Sequence, residues 1–275
     1  MIKDIVVNLS IGKPSDVAGE YAISVASAFG AHLAGIAFAY VPVIAGTIFD
    51  GVSASVIENY RLEGANAAKA ARTSFEAAAS RAGLSADARL ISAGVADAAA
   101  TFGRIARGYD LSVVAQAQPD NELPEALLIE AALFESGRPV LVVPYIQKTG
   151  LKLDRVMVCC DGSRNAARAI ADAMPLLCRA GTVEVVTIEA RESRNELAGA
   201  EIAQHLARHG LKVELKPIVD TECDVASTIL SYAADVSSDL IVMGGYGHSR
   251  LREFVLGGAT RGILGAMTVP TLMAH

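Results

Sequence analysis

Two stretches of this chain carry residue types suited to holding a polyanion. The first runs Gly244-Gly245-Tyr246-Gly247-His248-Ser249-Arg250, with Gly257-Gly258-Ala259-Thr260-Arg261 following after a short gap. Gly244 and Gly247 let a backbone leave a strand in a tight turn and approach a ligand closely. Gly257-Gly258 stands just before a helix-like stretch, Ala259 to Met267. The free amides and positive dipole end of such a helix make a ready anion site. The Thr260 hydroxyl adds a donor, and Arg250, Arg252 or Arg261 could add charge; spacing does not choose among them. The second stretch is Cys160-Asp161-Gly162-Ser163, an aspartate at the end of an apolar run. It can meet a polar ligand, or cap a helix beginning near Ser163. No Gly-x4-Gly-Lys-Ser/Thr sequence occurs and no general base is tied to the glycine loop, so binding is the expectation and no catalytic residue is assigned.

The elements that must position these residues come from an internal duplication. Lys3-Asp4-Ile5-Val6-Val7-Asn8-Leu9 opens one copy and Asp154-Arg155-Val156-Met157-Val158-Cys159-Cys160 the other, both reading as strands buried on two faces. Helical stretches follow, Ser15 to Phe29 and Ser163 to Arg179, then second strands, His32 to Ala39 and Thr182 to Ile188. The fourth strands match best, Tyr109-Asp110-Leu111-Ser112-Val113-Val114 against Ser238-Asp239-Leu240-Ile241-Val242-Met243. Both copies close on a proline-led run, Pro139 to Val143 and Pro270 to Met273. The offset is about 151 residues between Lys3 and Asp154 but about 129 between Asp110 and Asp239, so the first copy holds an extra segment, placed at about 41–62. The expected domains are 1–147 and 151–275, joined by Gln147-Lys148-Thr149-Gly150. Alternating strands and helices predict an α/β class: two tandem doubly wound parallel sheets, five strands each. Ligands on such sheets sit at the carboxyl strand ends where strand order reverses.

The spacing Gly244-x2-Gly247-x9-Gly257 resembles the nucleotide signature of ATP-binding universal stress proteins, and Cys160-Asp161-Gly162-Ser163 resembles that family's first-strand signature. The resemblance covers both halves and is strongest in the second. It implies an adenine-nucleotide-hydrolase-like fold and a stress-response or regulatory protein holding ATP, ADP or AMP, with Mg2+. By the same resemblance, Asp161 is similar to the aspartate near ribose and phosphates and would also hold Mg2+, while Ile188 resembles the residue contacting adenine. Met243 and Gly244 look like the strand-end pair beside base and ribose, with Tyr246 next to them among the nucleotide-binding residues; Gly247, Gly257, Gly258, Ala259 and Thr260 match the triphosphate cradle. One position departs: the family has Ser or Thr where this chain has Gly258, removing a phosphate hydrogen bond of roughly 1–3 kcal/mol, a loss Thr260 can offset. That departure leaves ATP, ADP and AMP all open.

The first copy has lost these features. Ser10 stands in the place of Asp161, Ala115-Gln116-Ala117-Gln118-Pro119 replaces the glycine turn, and Glu122 and Glu125 near the helix start would repel phosphate. One nucleotide per chain is therefore expected, in the C-terminal half. The N-terminal half would serve as an intramolecular pseudo-dimer partner; a homodimer of whole chains is also open.

Bulk properties exclude other classes. With 52% hydrophobic and 20% charged residues the chain is not disordered, and a net charge of −6 argues against a nucleic-acid coat. No apolar run reaches the roughly 20 residues of a membrane helix, and Met1-Ile2-Lys3 leads directly into a strand, so a soluble, cytoplasmic protein is expected. Cys159 and Cys160 read as small core residues, and His205 and His209 as a wet helix face without a third metal ligand. Three competing readings remain. One is a partner-binding tandem with an empty loop; another is a slow ATP hydrolase using Asp161. The third is an adenylyl-transferring enzyme, which would need a Ser-Gly-Gly-x-Asp-Ser type loop that Cys160 to Asn165 does not supply. A dinucleotide fold is rejected, because its glycines follow the first strand and these follow the fourth.

Overall fold

Ile5, Val6 and Val7 are fully buried, as are Val156, Met157 and Val158, so each run has side chains covered on both faces, the condition for a central parallel strand. The computed structural model describes residues 1–41, 54–118, 123–189, 196–219, 224–246 and 258–275. The chain divides into two compact units, Ile2–Ser136 and Gly137–His275.

The N-terminal unit runs β1 (Asp4–Asn8), α1 (Val17–Phe29), β2 (His32–Tyr40), α2 (Ala54–Arg81), β3 (Ala86–Ala93), α3 (Val95–Ala106), β4 (Leu111–Ala115) and α4 (Leu123–Glu135). Its strands lie in the order β3-β2-β1-β4, all parallel, with Val7 level with Gly35 on one side and Val113 on the other. The C-terminal unit runs β5 (Val140–Val143), β6 (Arg155–Cys159), α5 (Arg164–Leu177), β7 (Thr182–Glu189), α6 (Glu196–Arg208), β8 (Val213–Val219), α7 (Val225–Asp235), β9 (Leu240–Gly244), α8 (Ala259–Ala266) and β10 (Thr271–Ala274). Its order is β5-β10-β9-β6-β7-β8, parallel except that β5 runs antiparallel to β10, with Leu272 opposite Leu141. This is the doubly wound α/β class, and strand order reverses between β6 and β9. The proline-led run Pro139 to Val143, which the repeat assigns to the first copy, is thus paired with the matching run of the second.

A shared device explains why the fourth strands match best. Asp110 Oδ2 accepts from the Lys3 and Asp4 amides at 2.7 and 3.1 Å, while the Asp110 amide donates to the Asp4 carbonyl at 2.9 Å. In the other unit Asp239 Oδ2 accepts from the Arg155 amide at 3.0 Å and the Asp239 amide donates to the Arg155 carbonyl at 2.9 Å. Each carboxylate thereby clasps the entrance of the fourth strand to that of the first.

The extra segment placed at 41–62 is partly helical: α2 begins at Ala54 and runs 28 residues. Good helix formers such as Ala54, Glu58, Arg61 and Leu62 continue the pattern backwards, and Arg61 bonds Glu58 one turn earlier at 2.9 and 3.0 Å. Residues 42–53 lie outside the described residues.

Candidate functional site at the β6 and β9 strand ends

Register brings the predicted residues to one level. Cys159 pairs with Val186 and Val158 with Val242, so Asp161, Ile188 and Gly244 each stand two residues beyond these paired positions, at the carboxyl ends of β6, β7 and β9. Met243 is buried and Ile188 half-buried. Asp161 is exposed; its Oδ1 accepts from the Ser163 amide at 2.9 Å across Gly162, which turns with φ +73°. Helix capping falls to Ser163, whose hydroxyl oxygen accepts from the Ala166 amide at 3.1 Å. Asp161 orders the turn and Ser163 caps.

The chain then leaves β9 under tight constraint. A Cβ on Gly244 would lie 2.6 Å from the Ala166 amide nitrogen and 2.7 Å from the Asn165 carbonyl carbon. The absent side chain lets the end of β9 press on the first turn of α5. Beyond it, Gly245 donates its amide to the Ala274 carbonyl at 2.9 Å. Tyr246 adopts a left-handed φ of +50°, uncommon for a residue with a side chain, and its amide donates to Thr260 Oγ1 at 3.0 Å. Thr260 is 3% exposed, so this hydroxyl braces the two ends of the glycine loop against each other. Gly258 is the N-cap of α8 in an extended conformation (φ −60°, ψ 158°), without a side-chain cap bond. The first-turn amides at Ala259 and Thr260 therefore lack the capping oxygen that Ser163 gives α5. Gly247 and Gly257, with Arg250 and Arg252, lie outside the described residues.

Sequence reasoning missed Asn165. It is 3% exposed, and its Nδ2 donates to the Gly245 carbonyl at 2.8 Å, reaches the Tyr246 carbonyl at 3.3 Å and faces His275 Nδ1 at 2.8 Å. One amide thus ties the β9 exit to α5 and β10. The signal was faint: a short polar residue in the first turn of a helix, among alanines.

Electrostatics around Asp161 bear on the cysteines. Burial pushes the Cys159 thiol up to about 12, and the Asp161 carboxylate nearby adds to the shift. Cys159, Cys160 and Cys178 are all free thiols. Since only thiolate attacks, a thiol with that pKa is reactive at about one part in ten thousand at pH 8. Iodoacetamide at pH 8 should modify exposed Cys178 and spare Cys159 in folded protein, as peptide mass spectrometry can quantify; equal labelling would contradict the burial. Among the described residues no group of three or more His, Cys, Asp or Glu converges to hold a metal. His205 and His209 meet edge-on at 4.8 Å between ring centroids, without a third ligand of that kind.

The corresponding strand ends of the N-terminal unit are furnished differently. Ser10 is buried in the place of Asp161. Glu125 is not the free anion expected from its position near a helix start: it is 7% exposed and its Oε1 lies 2.6 Å from Lys13 Nζ. Its other oxygen, Oε2, is buried without a hydrogen-bond partner among the described residues. Burial, with Glu125 adding to it, pushes the Tyr40 phenol above its ordinary range. Lys13→Met would strand the Glu125 charge, and an expected stability loss of about 1–3 kcal/mol follows, read by chemical denaturation. Adding Glu125→Leu should restore most of it. Glu122 lies outside the described residues.

Comparisons with known proteins follow this geometry. The family model described as "Universal stress protein family" matches residues 152–275. Universal stress protein Slr1230 of Synechocystis sp. (strain ATCC 27184 / PCC 6803 / Kazusa) is 28% identical over 147 residues, 52% of this chain and 49% of its own length; the chain spans about half of that relative. A universal stress protein from Archaeoglobus fulgidus DSM 4304 superposes with TM-score 0.75 at 16% identity, over 98% of this chain and 96% of that one. A protein of unknown function, PA1789 from Pseudomonas aeruginosa PAO1, gives 0.59 at 16% identity, over 99% and 92%. At such identities the structural likenesses speak for the fold alone. No described helix is long and apolar enough to cross a membrane. The C-terminal residues 152–275 thus match the universal stress protein family, and the chain shares its fold along nearly its full length with a universal stress protein of known structure.

Proposed function

We propose that the C-terminal unit binds one adenine nucleotide and that the protein acts as a stress-response or regulatory element through that occupancy. The observation that carries this reading is the start of α8: a glycine N-cap with no side-chain cap bond, held beside the β9 exit by the Tyr246–Thr260 bond. Free amides at a helix N-terminus favour anions. Ile188 and Met243 would flank the base, and the amides of Gly258, Ala259 and Thr260, with the Gly247 and Gly257 loop, would face the phosphates. Asp161 would hold Mg2+ together with those phosphates, in keeping with that ion's habit of using one or two carboxylates plus substrate oxygens. Because Thr260 is almost fully buried in its brace to Tyr246, backbone amides carry most of the phosphate contact. That favours ADP or AMP alongside ATP. Domains of 1–147 and 151–275, cytoplasmic residence and homodimer formation belong to the same reading. No step of catalysis is needed.

Denaturing freshly purified protein and identifying what is released by mass spectrometry tests the reading. An adenine nucleotide near one equivalent per chain is the expected result, with a rise in melting temperature when ATP, ADP or AMP is added with Mg2+. Protein that releases none and shows no thermal response to any of the three would leave the partner-binding tandem as the better account.

A further inference from the structure

The N-terminal unit holds a solvent-open cavity of about 300 Å3 between α1, α2 and the loop after β1. That volume lies at the lower end of small-molecule sites. Its origin is visible in the sequence of α2: positions 67, 70, 71, 74 and 78 share one helical face and are all Ala or Ser, so nothing fills the space against α1. Buried Phe75 and Ile23 give it an apolar floor.

The charges on its walls are unbalanced. Asp16 and Glu20, one helical turn apart on α1, both line it, as do Lys13 and Arg81. The Lys13 ammonium is already committed to Glu125 at 2.6 Å; exposed Arg81, its Nε on the Ala77 carbonyl at 3.4 Å, keeps its charge, so Asp16 and Glu20 outweigh it by one. Neither Asp16 nor Glu20 forms an ion pair among the described residues. Asp16 is the α1 N-cap, with Oδ1 accepting from the Gly19 amide at 3.1 Å. Burial nonetheless raises its carboxyl above the ordinary range, with Glu20 contributing, so the hydrogen bonds from Gly19 and Ser10 do not fully offset desolvation.

We propose that this cavity is a second ligand site, for a small monocationic amine with a compact apolar body. The ammonium group sits against Asp16 and Glu20, and the body lies on Ile23, Phe75 and the alanine face of α2. A cation restores the charge that Lys13 gives to Glu125, and the apolar floor selects against strongly hydrated ions. An anion meets two carboxylates against the single charge of Arg81. The site stands apart from the nucleotide reading, because all its residues belong to the N-terminal unit.

Phenethylamine, with phenylacetate and phenethyl alcohol as its anionic and neutral counterparts, tests this on the full chain by backbone NMR. At millimolar concentration the amine should shift the amides of Gly12, Asp16 and Phe75 saturably, the alcohol more weakly, and phenylacetate not at all. The double variant Asp16→Asn, Glu20→Gln should weaken the amine roughly tenfold, while asparagine keeps the α1 cap. Should the double variant fold poorly, Glu20→Gln alone, at an exposed position, should still weaken binding several-fold, and Ala71→Leu should narrow the cavity with the same effect. Phenylacetate binding as well as the amine, no saturable shifts with the amine, or unchanged affinity in these variants would overturn the proposal.

Discussion

Replacing Gly258 by aspartate is expected to leave the fold as stable as before, or more so by a few tenths of a kcal/mol, while weakening nucleotide binding roughly a hundredfold. The two effects share one cause. Gly258 is an N-cap with extended dihedrals that any residue adopts, and aspartate there accepts a first-turn amide and complements the helix dipole. That same carboxylate then occupies the place of the ligand's negative charge. Two unit charges about 5 Å apart at an effective dielectric near 20 repel by roughly 3 kcal/mol, which is about a hundredfold in affinity. Gly258→Asn separates charge from bulk, since it caps equally well without repulsion and should lose much less. Calorimetry with ADP, paired with thermal melts, gives both numbers. A Gly258→Asp protein that binds ADP like the parent would place the nucleotide elsewhere.

Gly244→Val carries the largest expected cost in stability, about 3 kcal/mol. The clash is with backbone, at 2.6 Å from the Ala166 nitrogen and 2.7 Å from the Asn165 carbonyl carbon, so no side chain can swing aside to relieve it. The β9 exit would have to lift from α5, disturbing the Asn165 bonds to Gly245 and Tyr246. Through Tyr246 it would also disturb the brace to Thr260. A fall of roughly 6–12 °C in melting temperature follows from the size of the chain. Gly265→Ala is the counter-case: among the described residues nothing lies within 4 Å of its Cβ position, and it sits inside α8. It should gain up to about 1 kcal/mol from helix propensity alone. Equal behaviour of the two variants would show that Gly244 is merely a turn residue.

The fold was legible because its signals are local and doubled. Two apolar runs of the β1 and β6 kind, each followed by a helical stretch and a second strand, leave little choice but parallel crossovers. What escaped was every contact joining residues far apart in sequence. Asn165 reads as an ordinary first-turn residue until β9 and β10 are brought to it. Glu125 reads as a repelling acid until Lys13, 112 residues earlier, is found beside it. Asp110 and Asp239 were noticed as a repeat without a role, because their partners are backbone amides at the far end of each unit. The start of α2 lies hidden within the extra segment placed at 41–62, where Val56 and Tyr60 stand exposed on a continuous helix.

The paired aspartate clasps carry a consequence for how the molecule comes into being. Asp110 reaches back 106 residues to Asp4, and Asp239 reaches back 84 to Arg155. β1 and β6 are central strands made early in their units, and each waits through two further crossovers after its first neighbour before its second neighbour exists. At a synthesis rate of about 5–20 residues per second, β1 spends several seconds with one edge bare. Contacts of such long sequence separation slow folding, because chain closure precedes any reward. Each unit therefore completes its central strand pairing late, once the aspartate ahead of its fourth strand has been made.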